Sequence, residues 1–365
     1  MHTSTTAVFP RRQRTTLIAV ASHPAARPAT LAWTACLAIA SMFTPVTSTA
    51  NAAPAQVHPK RDWALADIPP QHGRIVLVTG GTSGIGFESA KALAAAGASV
   101  VIAARNSRRG ADAIAEIRRA TPGADVRFEV LDLGDLASVR GFGQRLQRKL
   151  PRLDVLINNA GLMEPPTRGV SVDGFEIQFA VNYLGHVALT SAVLPLLRNA
   201  DAPRVVTLSS IAARGGALHF NDLQFETGYD ASEAYSQSKL ACLMFALELQ
   251  RRSDAEGWGI TSIASHPGVS RTDLLVHHAG ASGFIRRRLA FLFQPSAQGA
   301  LPTLYAATAA TARGGAYYGP TRLMETRGPV GIARVPDAAR NTGNAAHLWT
   351  VSESLLGAPF AAATR

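Results

Sequence analysis

A tyrosine and a lysine stand four residues apart in the stretch 234–241, which reads AYSQSKLA. On a helix, positions i and i+4 share a face, so Tyr235 and Lys239 would point the same way. A tyrosine hydroxyl ordinarily has a pKa of about 10, too high for ready proton exchange at neutral pH, and a nearby positive charge favours its ionised form. The pair is therefore either a proton donor with a tuning charge or the solvated edge of an amphipathic helix.

The elements that would position this pair alternate along the body of the chain. Near-continuous apolar runs predict strands at 74–80, 99–104, 126–133, 153–159, 204–210 and 259–265, with a candidate edge strand at 315–319. Helical patterns lie at about 85–96, 107–120, 135–149, 173–199 and 235–252. Strands buried on both faces and separated by helices predict an α/β fold, a doubly wound parallel sheet of six to seven strands with helices on both faces.

A glycine-rich turn follows the first predicted strand, at the edge of the sheet where such folds bind ligands. Gly80, Gly84 and Gly86 have the spacing G-x3-G-x-G. The first would permit a tight turn, the second would let the backbone approach a pyrophosphate, and the third would let the helix pack on the strand. The helix N-terminus then offers unpaired N–H groups to an anion. The turn predicts dinucleotide binding, against the alternative of an ordinary loop.

The end of the second predicted strand bears on which dinucleotide binds. Sites that prefer NAD usually place an acidic residue there to hold the ribose 2′-hydroxyl. This chain has Arg105 there, 19 residues after Gly86, with Asn106 beside it. Because a guanidinium attracts a phosphate and gains little from a neutral ribose, NADP(H) is predicted over NAD(H). A surface arginine without this role is the alternative.

Four more motifs fall at predicted strand ends, namely LDL (131–133), NNAG (158–161), LSS (208–210) and HPGVSRT (266–272). With the glycine turn and YSQSK (235–239), they make residues 72–320 resemble the short-chain dehydrogenase/reductase family. The stretches DGFEIQFAVNYLGHVAL and YSQSKLACLMFALEL are most similar to the branch of retinol dehydrogenases and protochlorophyllide reductases. The resemblance implies a Rossmann-type catalytic domain.

The resemblance implies four catalytic residues. Tyr235 would be the general acid for carbonyl reduction and the general base for alcohol oxidation, and Lys239 would favour its phenolate and bind the nicotinamide ribose. Ser210, rather than its neighbour Ser209, would hydrogen-bond the substrate oxygen. Asn182 would kink its helix and hold a water for a proton relay to Lys239. Ser210 and Tyr235 are 25 residues apart, a spacing typical of the retinol-dehydrogenase-like branch.

The predicted cofactor contacts come from the glycine turn, from the second strand end and from the resemblance. They are Gly80, Thr82, Ser83, Gly84, Ile85, Gly86, Arg105, Asn106, Asp132, Leu133, Asn159, Ala160, Gly161, Tyr235, Lys239, Pro267, Gly268 and Thr272. No metal site is predicted, since His277 and His278 have no second cluster of ligands to complete one.

The substrate is predicted to be a small molecule with a carbonyl or alcohol group. Residues 273–298 take the place of the family's variable substrate lid, and their apolar and aromatic side chains favour a lipophilic substrate. Reduction of a conjugated C=C bond and a non-catalytic redox sensor are the alternative functions. The formal charge of +11 is scattered, so nucleic-acid binding is not predicted. The family resemblance suggests a homodimer or homotetramer.

Residues 1–60 differ from the rest and are predicted to be a leader. Arginines precede a 13-residue apolar run at 31–43 and a small-residue stretch at 50–52, in the order of a secretory signal peptide. Export or membrane tethering through this leader is predicted, and a cytoplasmic enzyme with a start site placed too far upstream is the alternative. Membrane contact is expected only through an uncleaved leader. The catalytic domain is predicted at 70–325 and a C-terminal extension at 326–365.

Overall fold

The computed structural model describes residues 61–270 and 294–361. Its eight strands form one sheet, with the order β3-β2-β1-β4-β5-β6-β7-β8. The strands are β1 Ile75–Thr79, β2 Ser99–Ala104, β3 Val126–Val130, β4 Val155–Asn158, β5 Arg204–Leu208, β6 Thr261–Ser265, β7 Tyr317–Arg322 and β8 Arg327–Ile332. The first seven are parallel, and β8 pairs antiparallel with β7.

Helices cover both faces of this sheet. They are α1 Gly84–Ala95, α2 Ser107–Ala120, α3 Leu136–Lys149, α4 Gly185–Ala192, α5 Leu194–Arg198, α6 Ala231–Glu256, α7 Ser296–Gly299, α8 Leu301–Thr308, α9 Asp337–Arg340 and α10 Thr342–Leu356, with a π-helix at Phe179–Leu184. Because successive strand residues point to opposite faces, Leu77 joins a core with Phe142 and Phe245, whereas Val76 joins a second core with Leu93. The predicted doubly wound α/β fold is confirmed.

Several element boundaries differ from the prediction. The predicted strands at 126–133, 153–159 and 204–210 end at Val130, Asn158 and Leu208, because their last residues turn into loops. The predicted helix 173–199 begins only at residue 177 and is divided into a π-helix and two α-helices. β8 was not predicted, since its sequence, RGPVGI, carries two glycines and a proline and occupies a half-exposed edge.

The carboxyl ends of the parallel strands place the site. Strand order reverses between β1 and β4, which pair with each other while β2 and β5 continue the sheet on opposite sides. In doubly wound sheets this reversal opens a crevice for ligands at the carboxyl edge. The loops at that edge begin at Gly80, Arg105, Leu131, Asn159 and Ser209.

The described residues contain neither a membrane-spanning helix nor a cluster of metal ligands. Within 61–270 and 294–361, no helix combines the length and hydropathy needed to span a bilayer. The same residues contain no group of three or more potential metal ligands. The predicted leader, Thr272 and positions 273–293 of the predicted lid lie outside the described residues.

Candidate active site

The glycine turn has the geometry of an anion cradle. Gly80 and Gly84 have φ values of +66° and +56°, in the left-handed region that glycine adopts readily. A Cβ atom on Gly86 would lie 2.3 Å from Asn159 Nδ2 and 2.5 Å from the Gly80 carbonyl oxygen. Helix α1 begins directly at Gly84, so its unpaired N–H groups face the turn. The absence of side chains here is therefore required for the turn, the helix and the neighbouring strand end to approach one another.

A cavity of about 450 Å³ opens beside this turn. Its walls include the predicted cofactor residues Gly80, Thr82, Ser83, Gly84, Ile85, Gly86, Arg105, Asn106, Asp132, Leu133, Asn159, Ala160, Gly161, Tyr235, Lys239 and Pro267. Gly268 does not line the cavity; a Cβ on it would lie 2.3 Å from the Thr326 carbonyl oxygen, so it packs against the turn between β7 and β8. The cavity connects the glycine turn to the tyrosine–lysine pair, as an extended two-part ligand requires.

One end of the cavity is basic. Arg105 and Arg109 both line it and are exposed to solvent. Asn106 caps α2 by accepting a hydrogen bond from the Arg109 main-chain N–H at 3.0 Å, which places the first turn of α2 at the cavity wall. Neither guanidinium is ion-paired with a carboxylate of the described residues. Both cations are thus free to bind an anionic group, such as a phosphate.

A buried threonine and histidine fix the loop after β4. The Thr79 hydroxyl accepts hydrogen bonds from the N–H groups of Asn159 (2.9 Å) and Ala160 (3.0 Å) and contacts His186 Nε2 at 2.9 Å. His186 Nδ1 lies 2.9 Å from the Asn182 carbonyl oxygen, to which it donates. Nε2 is then the acceptor of the Thr79 proton. Burial lowers the pKa of His186 to about 4, which keeps the ring neutral.

The tyrosine and the lysine of α6 are together in the cleft. Tyr235 is 9% exposed and Lys239 is 6% exposed. The Lys239 ammonium nitrogen lies 6.0 Å from the centre of the Tyr235 ring and donates to the Leu208 carbonyl oxygen at 3.2 Å. No carboxylate of the described residues is paired with this ammonium, so no described anion neutralises its charge.

The structure distinguishes the two serines after β5. The Ser209 hydroxyl is buried and donates to the Lys239 carbonyl oxygen at 2.8 Å, so its proton is already used within the fold. Ser210 is half-buried and caps a short 3-10 turn, Ile211–Arg214, by accepting from the Ala212 N–H at 3.2 Å. Its own proton remains available to a ligand. The cavity wall contains Ser209, whereas Ser210, the next residue of the chain, is not among the lining residues.

Asn182 lies in the π-helix and does not line the cavity. Its side-chain amide accepts from the Leu162 N–H at 2.8 Å and donates to the Leu162 carbonyl oxygen at 2.9 Å. Its main-chain carbonyl oxygen accepts from His186 and, at 3.1 Å, from the Cys242 thiol. The described contacts make Asn182 a support of the loop after Gly161, and the water relay stays a prediction.

The chain is similar to known proteins over most of its length. The family model described as short chain dehydrogenase matches residues 74–279. Retinol dehydrogenase 12 of Mus musculus is 39% identical over 287 residues, which are 78% of this chain and 87% of the relative. Polyprenol dehydrogenase of Mus musculus is 39% identical over 304 residues, 81% of this chain and 88% of the relative. The chain belongs to the short chain dehydrogenase family.

Solved structures agree with this membership. An uncharacterised protein from Mycobacterium paratuberculosis is 38% identical and superposes with a TM-score of 0.69, over 82% of this chain and 99% of the other. The RhlG/NADP active-site complex of Pseudomonas aeruginosa is 27% identical, with a TM-score of 0.55 over 67% and 94% of the two chains. This short chain dehydrogenase is an NAD(P)-dependent oxidoreductase that acts on alcohol or carbonyl groups of a small molecule, and its resemblance to the retinol-dehydrogenase-like branch is confirmed.

The dinucleotide fits the residues of this dehydrogenase. The tight turn that Gly80 and Gly86 permit, the N-terminus of α1 and the free guanidinium groups together suit a ligand with several phosphates. Sequence reasoning missed Arg109, Thr79 and His186. Arg109 had a local signal, since it lies one helical turn after Arg105. Thr79 and His186 had none, because their contact joins positions 107 residues apart.

Proposed function

We propose that this dehydrogenase uses NADP(H) to interconvert a carbonyl and an alcohol on a lipophilic substrate, with Tyr235 as the proton donor and acceptor. The observation that carries the proposal is the placement of Tyr235 and Lys239 in one cavity with the glycine turn. The dinucleotide, when bound, supplies or accepts the hydride. All other parts of the reaction are assigned to side chains of this chain.

The coenzyme preference rests on Arg105 and Arg109. Two unpaired guanidinium groups at one end of the cavity suit a ribose 2′-phosphate. Among the described residues that line the cavity, the only carboxylate is that of Asp132, which follows the third strand and not the second. The RhlG complex contains NADP, in agreement with this preference.

The proton chemistry rests on the lysine. During carbonyl reduction the substrate oxygen gains negative charge and takes a proton from the Tyr235 hydroxyl. Lys239, held by the Leu208 carbonyl, stabilises the negative charge left on the tyrosine oxygen. Ser210 donates to the same substrate oxygen, because its hydroxyl accepts only from Ala212 and has a proton to give. In the oxidation direction the same groups act in reverse.

The substrate class rests on the apolar wall and on the relatives. Leu162, Val181 and Leu208 line the same cavity as Tyr235. The relatives that match most of this chain are named for retinol and polyprenol, which are long apolar alcohols. A lipophilic aldehyde or ketone is therefore the proposed substrate for reduction.

The leader at residues 1–60 is proposed to be a targeting signal. Its support is the order of basic, apolar and small residues within 1–60. Deleting residues 1–52 should leave an active enzyme that no longer leaves the cytoplasm, and mass spectrometry of the mature N-terminus shows whether cleavage occurs. Loss of folding on deletion would contradict the proposal.

The catalytic proposal is tested by following NADPH absorbance with a panel of apolar aldehydes, ketones and enones at neutral pH, and NADH in parallel. We expect oxidation of NADPH with apolar aldehydes or ketones and slower oxidation of NADH. Consumption with enones alone would assign C=C reduction instead. Tight NADPH binding with no consumption across the panel would contradict the catalytic proposal and favour a sensor.

A further inference from the structure

Glu325 lies in the turn between β7 and β8, at the carboxyl edge of the sheet. Three consecutive residues of this turn, Leu323, Met324 and Glu325, have φ values of +49°, +56° and +67°. Residues with a side chain seldom adopt this left-handed conformation, and it persists where the surrounding structure holds it in place. The Glu325 side chain is only 17% exposed, whereas Leu323 and Met324 are 66% and 85% exposed. Of these three residues, Glu325 is thus the one whose side chain packs against the protein.

The carboxylate of Glu325 joins three other segments. Oε2 forms an ion pair with Arg214 and lies 3.0 Å from His266 Nε2. Oε1 accepts from the Arg334 N–H at 2.9 Å. Arg214 also donates to the Met324 carbonyl oxygen at 3.0 Å. One side chain therefore connects the turn after β5, the loop after β6 and the segment that follows β8.

The hydrogen-bond pattern of His266 fixes its role in this group. The ring is fully buried, and Nδ1 accepts from the Gly268 N–H at 3.2 Å. Nε2 must then carry the hydrogen and donate it to Glu325. The groups that face the ring are Glu325, Arg214 across that carboxylate and the Tyr317 ring at 5.0 Å. A neutral histidine between a carboxylate and a main-chain N–H is a rigid connection.

Both segments that Glu325 holds belong to the cleft. Arg214 ends the 3-10 turn that Ser210 caps, and Tyr317 donates to the Ser210 carbonyl oxygen at 3.2 Å. His266 directly precedes Pro267, and Pro267 lines the cavity. The Val269 N–H donates to the Thr326 carbonyl oxygen at 2.8 Å, so the turn beyond Glu325 packs directly on the same loop.

We propose that Glu325 is a positioning residue: its carboxylate fixes the turn of Ser210 and the loop of His266, Pro267 and Gly268 relative to each other. It thereby sets where the substrate oxygen and the nicotinamide end of the coenzyme meet Tyr235. This inference rests on the proposed function for its catalytic consequence. Its structural part, the connection of two loops, is independent of turnover.

The test compares Glu325→Gln with Glu129→Gln in the full chain. Glu129, on β3, is a matched control, because its side chain is similarly buried (14% exposed) and is ion-paired with Lys149 and Arg145. It lies away from Ser210 and His266. Amide hydrogen exchange without coenzyme should become faster at 211–216 and 266–270 in Glu325→Gln only. With substrate, kcat should fall about 100-fold, as a small misplacement of reacting groups can cause, while the KM for NADPH changes little.

Each outcome separates the two claims. If the wild type turns over and Glu325→Gln keeps both its kcat and its exchange rates, the positioning role is wrong and the proposed function stands. If the wild type turns over no substrate, the proposed function is wrong. The amide exchange rates at 211–216 and 266–270 then decide by themselves whether Glu325 connects the two loops. Should Glu325→Gln fail to fold, Arg214→Gln removes the other half of the ion pair, and unchanged exchange at 266–270 and unchanged kcat in that variant would overturn the role.

Discussion

The ammonium nitrogen of Lys239 lies 6.0 Å from the centre of the Tyr235 ring, and both side chains form part of one cavity wall. The i and i+4 positions of α6 produce this arrangement, and the buried length of α6 directs both side chains inward. A solvated helix edge is excluded, since neither side chain is more than 9% exposed. The cleft therefore holds a phenol and a cation in water-poor surroundings, where charge acts strongly.

The preference for NADPH over NADH should depend on Arg105 and Arg109. Arg105→Asp should lower kcat/KM for NADPH relative to NADH by about 100-fold, because a charge-assisted contact to phosphate is replaced by repulsion. Arg109→Ala should lower it by about tenfold, corresponding to about 1.4 kcal/mol. Arg119→Ala, in the last turn of the same helix, is the control and should leave the ratio unchanged. A ratio unaffected by Arg105→Asp would mean that other residues bind the 2′-phosphate.

Coenzyme affinity should depend on the space at Gly86. Gly86→Ala would bring a Cβ to 2.3 Å from Asn159 Nδ2 and 2.5 Å from a main-chain oxygen, so the turn has to shift. We expect the Kd for NADPH, measured by fluorescence titration, to rise at least about tenfold. Gly141→Ala, where the nearest atom is 3.5 Å away, should bind NADPH as the wild type does. Equal affinity of both variants would argue against the cradle.

Stability should depend on pH through His186. Its pKa is about 4 in the folded protein, below the ordinary value of about 6.5, because burial disfavours the charged ring. The unfolded chain then binds more protons between these values, so acid favours unfolding, and about 3 kcal/mol of unfolding free energy is lost as the pH falls from 6.5 to 4.

Chemical denaturation across that pH range measures this contribution. His186→Gln should be less stable at pH 7 and should show a smaller decrease towards pH 4 than the wild type. The exposed His72→Gln should follow the wild type. A slope in His186→Gln equal to that of the wild type would assign the acid sensitivity to other groups.

Substitution of the two serines after β5 should affect different properties, kcat for Ser210 and thermal stability for Ser209. Ser210→Ala should reduce kcat by about 100-fold with little change in NADPH affinity, as the loss of one donor to a developing oxyanion does. Ser209→Ala removes a hydrogen bond to the Lys239 carbonyl oxygen and should chiefly lower the melting temperature. Steady-state kinetics and thermal unfolding separate them. A larger loss of kcat in Ser209→Ala would reverse the assignment.

Sequence patterns predicted the site where chemistry depends on local spacing. The glycine turn, Arg105 at a strand end and the pair on α6 each lie within one strand–loop–helix unit, so periodicity alone places them. The hydrogen bond of Thr79 to His186 and the ion pair of Arg214 with Glu325 join distant segments. Their partners depend on sheet order and register, which no local pattern specifies.

The elements that differ from the predictions also lack a local signal in the sequence. β8 pairs only with β7 and has neither strict alternation nor a continuous apolar run, so its sequence gives no strand signal. The π-helix around Asn182 is stabilised by contacts to Leu162 and Ser238, which lie on other segments. A helical pattern in the sequence cannot distinguish this widened turn from an α-helix.

The measurement that tests the central claim most directly is the kinetics of Tyr235→Phe with an apolar aldehyde or ketone, alongside its Kd for NADPH. Phenylalanine keeps the ring and removes only the hydroxyl. We predict that kcat falls by about 1,000-fold, within the range for loss of a general acid, while the Kd for NADPH changes less than about threefold. A variant that retains most of the wild-type kcat would contradict the assignment of proton transfer to Tyr235.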